Sequence, residues 1–189
     1  MSKRLNLSSA VFAGFSLLYP VIAIVLVHAA GPGSALVVLL LVLAARVALP
    51  SLQSVPASLG IALLPVLAAV AAVGVFDRPL AVRLYPVFMN AAMLSVFAVT
   101  LWRPPSMIER FARVLDPDLP PSGVRYTYKV TIVWIAFFAL NGAIALWTVL
   151  QPGWAMWSLY NGLVSYVAAG MLLLGEYIVR LRVMRQFRA

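Results

Sequence analysis

Between Lys129 and Gln151 the chain reads VTIVWIAFFALNGAIALWTVL, with no charged side chain anywhere in the run. An α-helix rises 1.5 Å per residue, so about 20 apolar residues are needed to cross a hydrocarbon core roughly 30 Å thick. Five further segments are apolar in the same way: residues 9–29, 34–49, 59–76, 81–101 and 156–177. The chain is 64% hydrophobic and 10% charged, whereas soluble domains average about 25% charged. A protein of 189 residues has no interior large enough to hide that much apolar surface, so lipid must solvate much of it. Unpaired backbone N–H and C=O groups are too costly in lipid, which restricts the spans to helices. The expected fold is therefore all-α: a polytopic membrane helix bundle of about six transmembrane helices, with residues 1–189 as one integral domain. Segments 34–49 and 59–76 are short for full spans and fit a tilted or short pair as well.

Turn signals divide the segments: Gly31-Pro32-Gly33, Pro50, Pro56, Asp77-Arg78-Pro79 and Gln151-Pro152-Gly153. Lys3 and Arg4 precede the first run, and Val27-His28-Ala29 near its end imitates the cleavage site of a signal peptide. The run is longer than a signal core and further spans follow, so it is expected to be a retained first helix. Leu-Tyr-Pro-Val occurs at 18–21 and again at 84–87. That is the form a three-plus-three inverted repeat would leave, although four residues are too few to establish one.

Charge placement orients the helices. With the N-terminus in the cytoplasm and six helices alternating, the inner side holds Lys3, Arg4, Arg46, Arg103, Arg110, Arg113, Arg125, Lys129, Arg180, Arg182, Arg185 and Arg188, and the outer side only Arg78 and Arg83. This is a strong positive-inside bias, and it puts both termini in the cytoplasm. The net charge of +9 then serves orientation and anionic lipid, not nucleic acid. Trp147, Trp154, Trp157 and Tyr160 flank the outer turn as an interfacial belt, and Trp102, Tyr126 and Tyr128 form part of the inner one. Anchoring is the role read for them. Arg83, at the outer end of the fourth helix, is expected to snorkel to the headgroups.

Residues 103–129 are the one long polar stretch, with five of the basic residues and three of the five acids. Pro104 and Pro105 stop the fourth helix. Ser106 and Glu109 fit a capping box that opens a short helix over 106–115. Met107, Ile108, Phe111, Val114 and Leu115 fall on one face, opposite Glu109, Arg110 and Arg113. Glu109 and Arg113 stand one turn apart. An apolar face backed by basic residues suits a helix lying at the membrane interface. Residues 119–123, Leu-Pro-Pro-Ser-Gly, read as a rigid turn into the fifth helix. Near an anionic surface each of Arg103, Arg110, Arg113, Arg125 and Lys129 contributes on the order of 1 kcal/mol. Either these residues only fix topology, or they grip one anionic group, such as a lipid phosphate or an acidic carrier protein.

Few polar residues lie within the spans. Asn90, Asn141 and Asn161 would bind a ligand or hydrogen-bond neighbouring helices. Glu176 would pair locally with Arg180, or meet an arginine of the 103–129 stretch and close an inner polar site. The chain has no Cys and a single His, His28, so thiolate chemistry and a histidine metal site are excluded. No intramembrane pair of carboxylates, phosphate-binding glycine loop or nucleophile elbow occurs. No cofactor and no metal is expected, and no catalytic residue is assigned. Any enzymatic activity would have to work through Arg, Glu, Asp and Asn alone, for example on a lipid phosphate.

A basic helix, a Leu-Pro turn, a helix carrying Trp134, Phe137, Phe138 and Asn141, an outer turn with Trp157 and Gly162, and a basic end from Tyr177 to Arg182 follow one another. This order resembles the bacterial septation protein A family of inner membrane-spanning proteins, closely in the C-terminal half and in outline in the N-terminal half. The segments 103–110 and 126–131 depart from that pattern. They look closer to a family of small membrane proteins found beside genes for fatty-acid-like or aryl-polyene chain synthesis. The resemblance implies a bacterial inner-membrane protein of envelope or acyl-lipid biology, and it carries over no catalytic residue. Two functions are expected from different classes: a non-enzymatic scaffold or lipid-binding partner, and a small transporter or flippase of a lipid-like substrate. Expected partners are anionic headgroups, other inner-membrane envelope proteins and an acidic carrier protein. A polar cavity at mid-membrane would favour transport, and a solid core the scaffold.

Overall fold

The computed structural model describes residues 19–48 and 63–186. Its elements are α1 (Tyr19–Ala30), α2 (Pro32–Ala48), α3 (Leu63–Phe76), α4 (Arg78–Trp102), α5 (Met107–Leu115), α6 (Pro121–Leu150), α7 (Ala155–Leu159), a π-helical turn (Tyr160–Val164) and α8 (Ser165–Gln186). Every element among the described residues is helical, as expected of this composition. Three helices there are long and apolar enough to cross a membrane: α4, α6 and the continuous helix Ala155–Arg180. Of the six expected spans, the other three are not established. With 17 and 14 residues, α2 and α3 reach only about 26 and 21 Å at 1.5 Å per residue, which agrees with the short pair. Residues 9–18 and 59–62 of the expected first and third spans, the turn at Pro50 and Pro56, and Leu18 of the repeated tetrapeptide lie outside the described residues.

The connections follow from local chemistry. Gly31 has φ +80°, a left-handed conformation open to glycine, so α1 turns into α2 across one residue. Asp77 caps α4 by accepting from Leu80 N–H at 2.9 Å, with Pro79 in the first turn where no N–H is needed. The turn expected at 119–123 is shorter than that. Pro120 occupies the cap position and Pro121 opens α6, its ring fixing φ near the helical value. Arg125, Tyr126, Tyr128 and Lys129 are therefore in the first turns of a helix.

The bundle is organised around α4, which packs against α2, α3, α5 and α6. Leu36, Leu39 and Leu43 of α2, Val66 and Val70 of α3, and Ala81 and Val82 of α4 form one buried cluster. Along the α4–α6 seam, Phe97 meets Phe138 edge-on at 5.2 Å and Trp134 at 6.5 Å. Lipid tails are as apolar as leucine, so packing and hydrogen bonds must hold such helices together. Aromatic pairs of this geometry contribute about 0.5–1.5 kcal/mol each. The backbones also approach closely: a Cβ on Gly142 would stand 3.0 Å from Asn90 Cβ.

Candidate functional site

A groove of about 650 Å3 runs between α3 and α4. It stays open because its facing side chains are short: Ala69 on α3, and Ala91, Ala92 and Ser95 on α4. Phe88 stands at one end of the lining, and Thr100, Arg103 and Arg110 at the other. The hydroxyls along it are already bonded. Ser95 Oγ donates to Ala91 O at 2.8 Å, and Thr100 Oγ1 donates to Phe97 O at 2.7 Å. The walls are therefore apolar up to two guanidinium groups.

Those two groups differ. Arg110 is held in place, its Nε donating to Pro105 O at 2.9 Å and Nη2 to Arg103 O at 3.3 Å. The exposed Arg103 side chain has no partner among the described residues. It lies just past the end of α4, where the helix dipole favours a cation. The Pro104–Pro105 peptide bond between them is cis.

Arg110 is aimed by the way α5 docks, and the docking corrects the expected capping box. Ser106 Oγ makes no cap bond; it is buried without a partner. Thr100 Oγ1 of α4 instead accepts from Met107 N–H at 2.9 Å, and Thr131 Oγ1 of α6 from Ile108 N–H at 3.3 Å. Two of the free amides of α5 thus bind neighbouring helices, which a purely local motif cannot foresee. Glu109 does not reach back. It is buried and forms the one ion pair among the described residues, with Arg113 Nη2 at 2.8 Å and Nε at 2.9 Å. Arg113 Nη1 also donates to Pro117 O at 2.9 Å, so Arg113 fastens α5 and is not part of the groove. Met107, Ile108 and Phe111 face α4 and α6, while Val114 is exposed. The expected apolar face is thus mostly turned onto protein.

The three asparagines border a second cavity, of about 310 Å3. Asn141 Nδ2 donates to Asn90 Oδ1 at 2.9 Å, and Asn90 Nδ2 to Pro86 O at 2.8 Å. Tyr160 OH, in the π-helical turn, donates to Asn141 Oδ1 at 2.8 Å. Asn161 Nδ2 donates to Trp157 O and Thr148 Oγ1 at 2.9 and 3.1 Å. The amides therefore join helices, and no charged side chain lines the space.

At the far end of α4 two expectations fail. Arg83 does not reach outward: its Nη2 donates to Gln151 O at 2.5 Å and Thr148 O at 3.0 Å, closing the carbonyl end of α6. Trp157 is no belt residue but fully buried, its Nε1 donating to Arg83 O at 2.9 Å. Tyr160, bonded to Asn141, likewise faces the bundle. Glu176 forms neither expected ion pair among the described residues. Tyr126 OH instead donates toward it, 3.2 Å from its backbone O and 3.4 Å from Oε1. Arg125 and Lys129 are exposed on α6, and neither they nor Arg180 line the groove.

Of the predicted site residues, the fold brings Arg103 and Arg110 together on one cavity, and Asn90, Asn141 and Asn161 on another. Sequence reasoning missed Ala69, Ala91, Ala92 and Ser95. Small residues at i, i+1 and i+4 on one apolar helix are the trace such a groove leaves. No group of acids or histidines suited to a metal occurs among the described residues. The arrangement can hold an amphiphile with an anionic head; it offers no nucleophile beside a base. Comparison of the chain with known protein families, curated proteins and solved structures found no match.

Proposed function

We propose that the chain is a multi-pass protein of the bacterial inner membrane, both termini cytoplasmic, that supports cell-envelope or acyl-lipid metabolism as a non-enzymatic lipid-binding partner or scaffold. The observation that carries this reading is the α3–α4 groove, apolar along its walls and ending at Arg103 and Arg110. Its volume falls in the range of about 300–1,000 Å3 usual for small-molecule sites. The basic 103–129 stretch, its positive-inside placement and the resemblance to inner membrane-spanning proteins support the compartment. Native mass spectrometry of the protein released from bacterial inner-membrane vesicles tests it. The expected result is one retained lipid-like adduct, lost in Ala92→Phe. Bare protein under conditions that keep the fold would refute the reading.

A second reading, a small transporter or flippase, would use the cavity bordered by Asn90, Asn141 and Asn161. Its asparagine amides are already bonded to neighbouring groups, which suits helix association better than passage of a headgroup. Dithionite quenching of fluorescent phospholipid in proteoliposomes separates the two. Protein-free rates support the binding partner; rates raised by the protein support the flippase.

A further inference from the structure

We infer that the α3–α4 groove takes a single-chain anionic amphiphile, a free long-chain acyl carboxylate, with its head on Arg103 and Arg110 and its tail along α4 toward Phe88. This rests on the lipid-binding reading and narrows it to one ligand class.

Length is the first argument. From Arg103 to Phe88 the lining follows α4 for about 22 Å at 1.5 Å per residue, more than half of a hydrocarbon core roughly 30 Å thick. An extended acyl chain fits that track; a short or branched solute leaves most of it empty. Width is the second. The open space lies where the short side chain of Ala69 faces Ala91, Ala92 and Ser95, and one tail is assigned to it. The second tail of a diacyl lipid would have to lie outside it.

The head is specified by the donors left available. Two of Arg110's three guanidinium nitrogens already donate to backbone carbonyls, so it offers the ligand chiefly Nη1. Arg103 offers a whole fork. One fork plus one further donor matches the two oxygens of a carboxylate, with bidentate contact from Arg103 and a third bond from Arg110. No acid lines the groove to compete for them. Glu109, the nearest in sequence, is occupied by Arg113. No nucleophile lines it either, so the site holds and releases the chain without making or breaking a bond.

The test is photolabelling of the full chain in phosphatidylcholine nanodiscs. One arm carries a palmitate analogue with a mid-chain diazirine, and the other a phosphatidylglycerol bearing the same chain. Labelled peptides are located by mass spectrometry. The palmitate probe is expected to label the Ala91–Val99 face of α4 and to be displaced by unlabelled palmitate. Ala92→Phe, or Ser95→Leu if the first variant does not fold, should abolish the labelling. Arg103→Gln with Arg110→Gln should weaken it by about tenfold or more, and the corresponding double Lys variant should recover only part of the loss. Arg125→Gln, an exposed change outside the groove, should leave it unaltered. Labelling by the phosphatidylglycerol probe that palmitate does not displace would overturn the acyl-carboxylate assignment while leaving lipid binding intact. Absence of groove labelling by either probe would overturn both. Labelling insensitive to the groove-filling and Arg variants would mean ordinary surface contact with lipid, and would also overturn the inference.

Discussion

Ser106 stands at the cap position of α5, yet its hydroxyl bonds nothing. A working capping serine is worth about 0.5–2 kcal/mol; a buried hydroxyl without a partner is a liability instead. Ser106→Ala should therefore leave stability unchanged or raise it slightly in detergent unfolding titrations. A loss of the size of a cap would restore the capping box. The Glu109–Arg113 pair behaves oppositely. Glu109 is 6% exposed, so Arg113→Gln strands a buried carboxylate and should cost about 1–3 kcal/mol. Adding Glu109→Gln should return part of that loss, and a double-mutant cycle measures the coupling. Additive single effects would mean that the ion pair contributes nothing. Exchanging Arg110 and Arg113 together for Lys would mix two effects, one at the groove and one in the docking of α5.

At the scale of the element, α5 is fixed by its neighbours rather than by its own sequence. Its opposed polar and apolar faces were legible, since Met107, Ile108 and Phe111 recur at helical spacing. Its partner was not. Amphipathicity says that one face leaves water, but not whether lipid or protein receives it. The decision lies in Thr100 and Thr131, seven and 23 residues away from the amides they accept. Hydrogen exchange in nanodiscs should show α5 amides slowed relative to those of Ser122 and Gly123, at the start of α6. Thr131→Val should raise exchange at Ile108 and along α5 while leaving α4 protected. Unchanged exchange would mean that the Thr131 bond does not hold α5. Arg83 gives the same lesson at the other end of α4. A lone arginine at a span terminus reads as reaching for headgroups, but the open carbonyls of Thr148 and Gln151 lie closer.

Across the whole molecule, the apolar runs announced an all-helical fold and the boundaries of its long helices to within a few residues, except where α6 begins early at Pro121 and α8 runs on past 177 to Gln186. Hydropathy sees length and polarity, and those are what a span requires. It does not see gaps. Ala91, Ala92 and Ser95 contribute to the apolar run as larger residues would, and only the placement of α3 opposite them turns small size into a groove. Arg103 and Arg110 were candidates among several basic residues, and nothing in their spacing separates them from Arg113 or Arg125. The separation comes from three-dimensional contacts: Arg113 bonds Glu109, Arg125 is exposed and outside the lining, and Arg103 and Arg110 border the same space. A crystal structure grown in a bacterial-lipid mesophase would test this most directly. The expected result is an elongated tube of density between Ala69 and Ala92, its head within hydrogen-bond distance of Arg103 and Arg110. A groove closed by α3 collapsing onto α4, or filled by the chain's own residues, would contradict it.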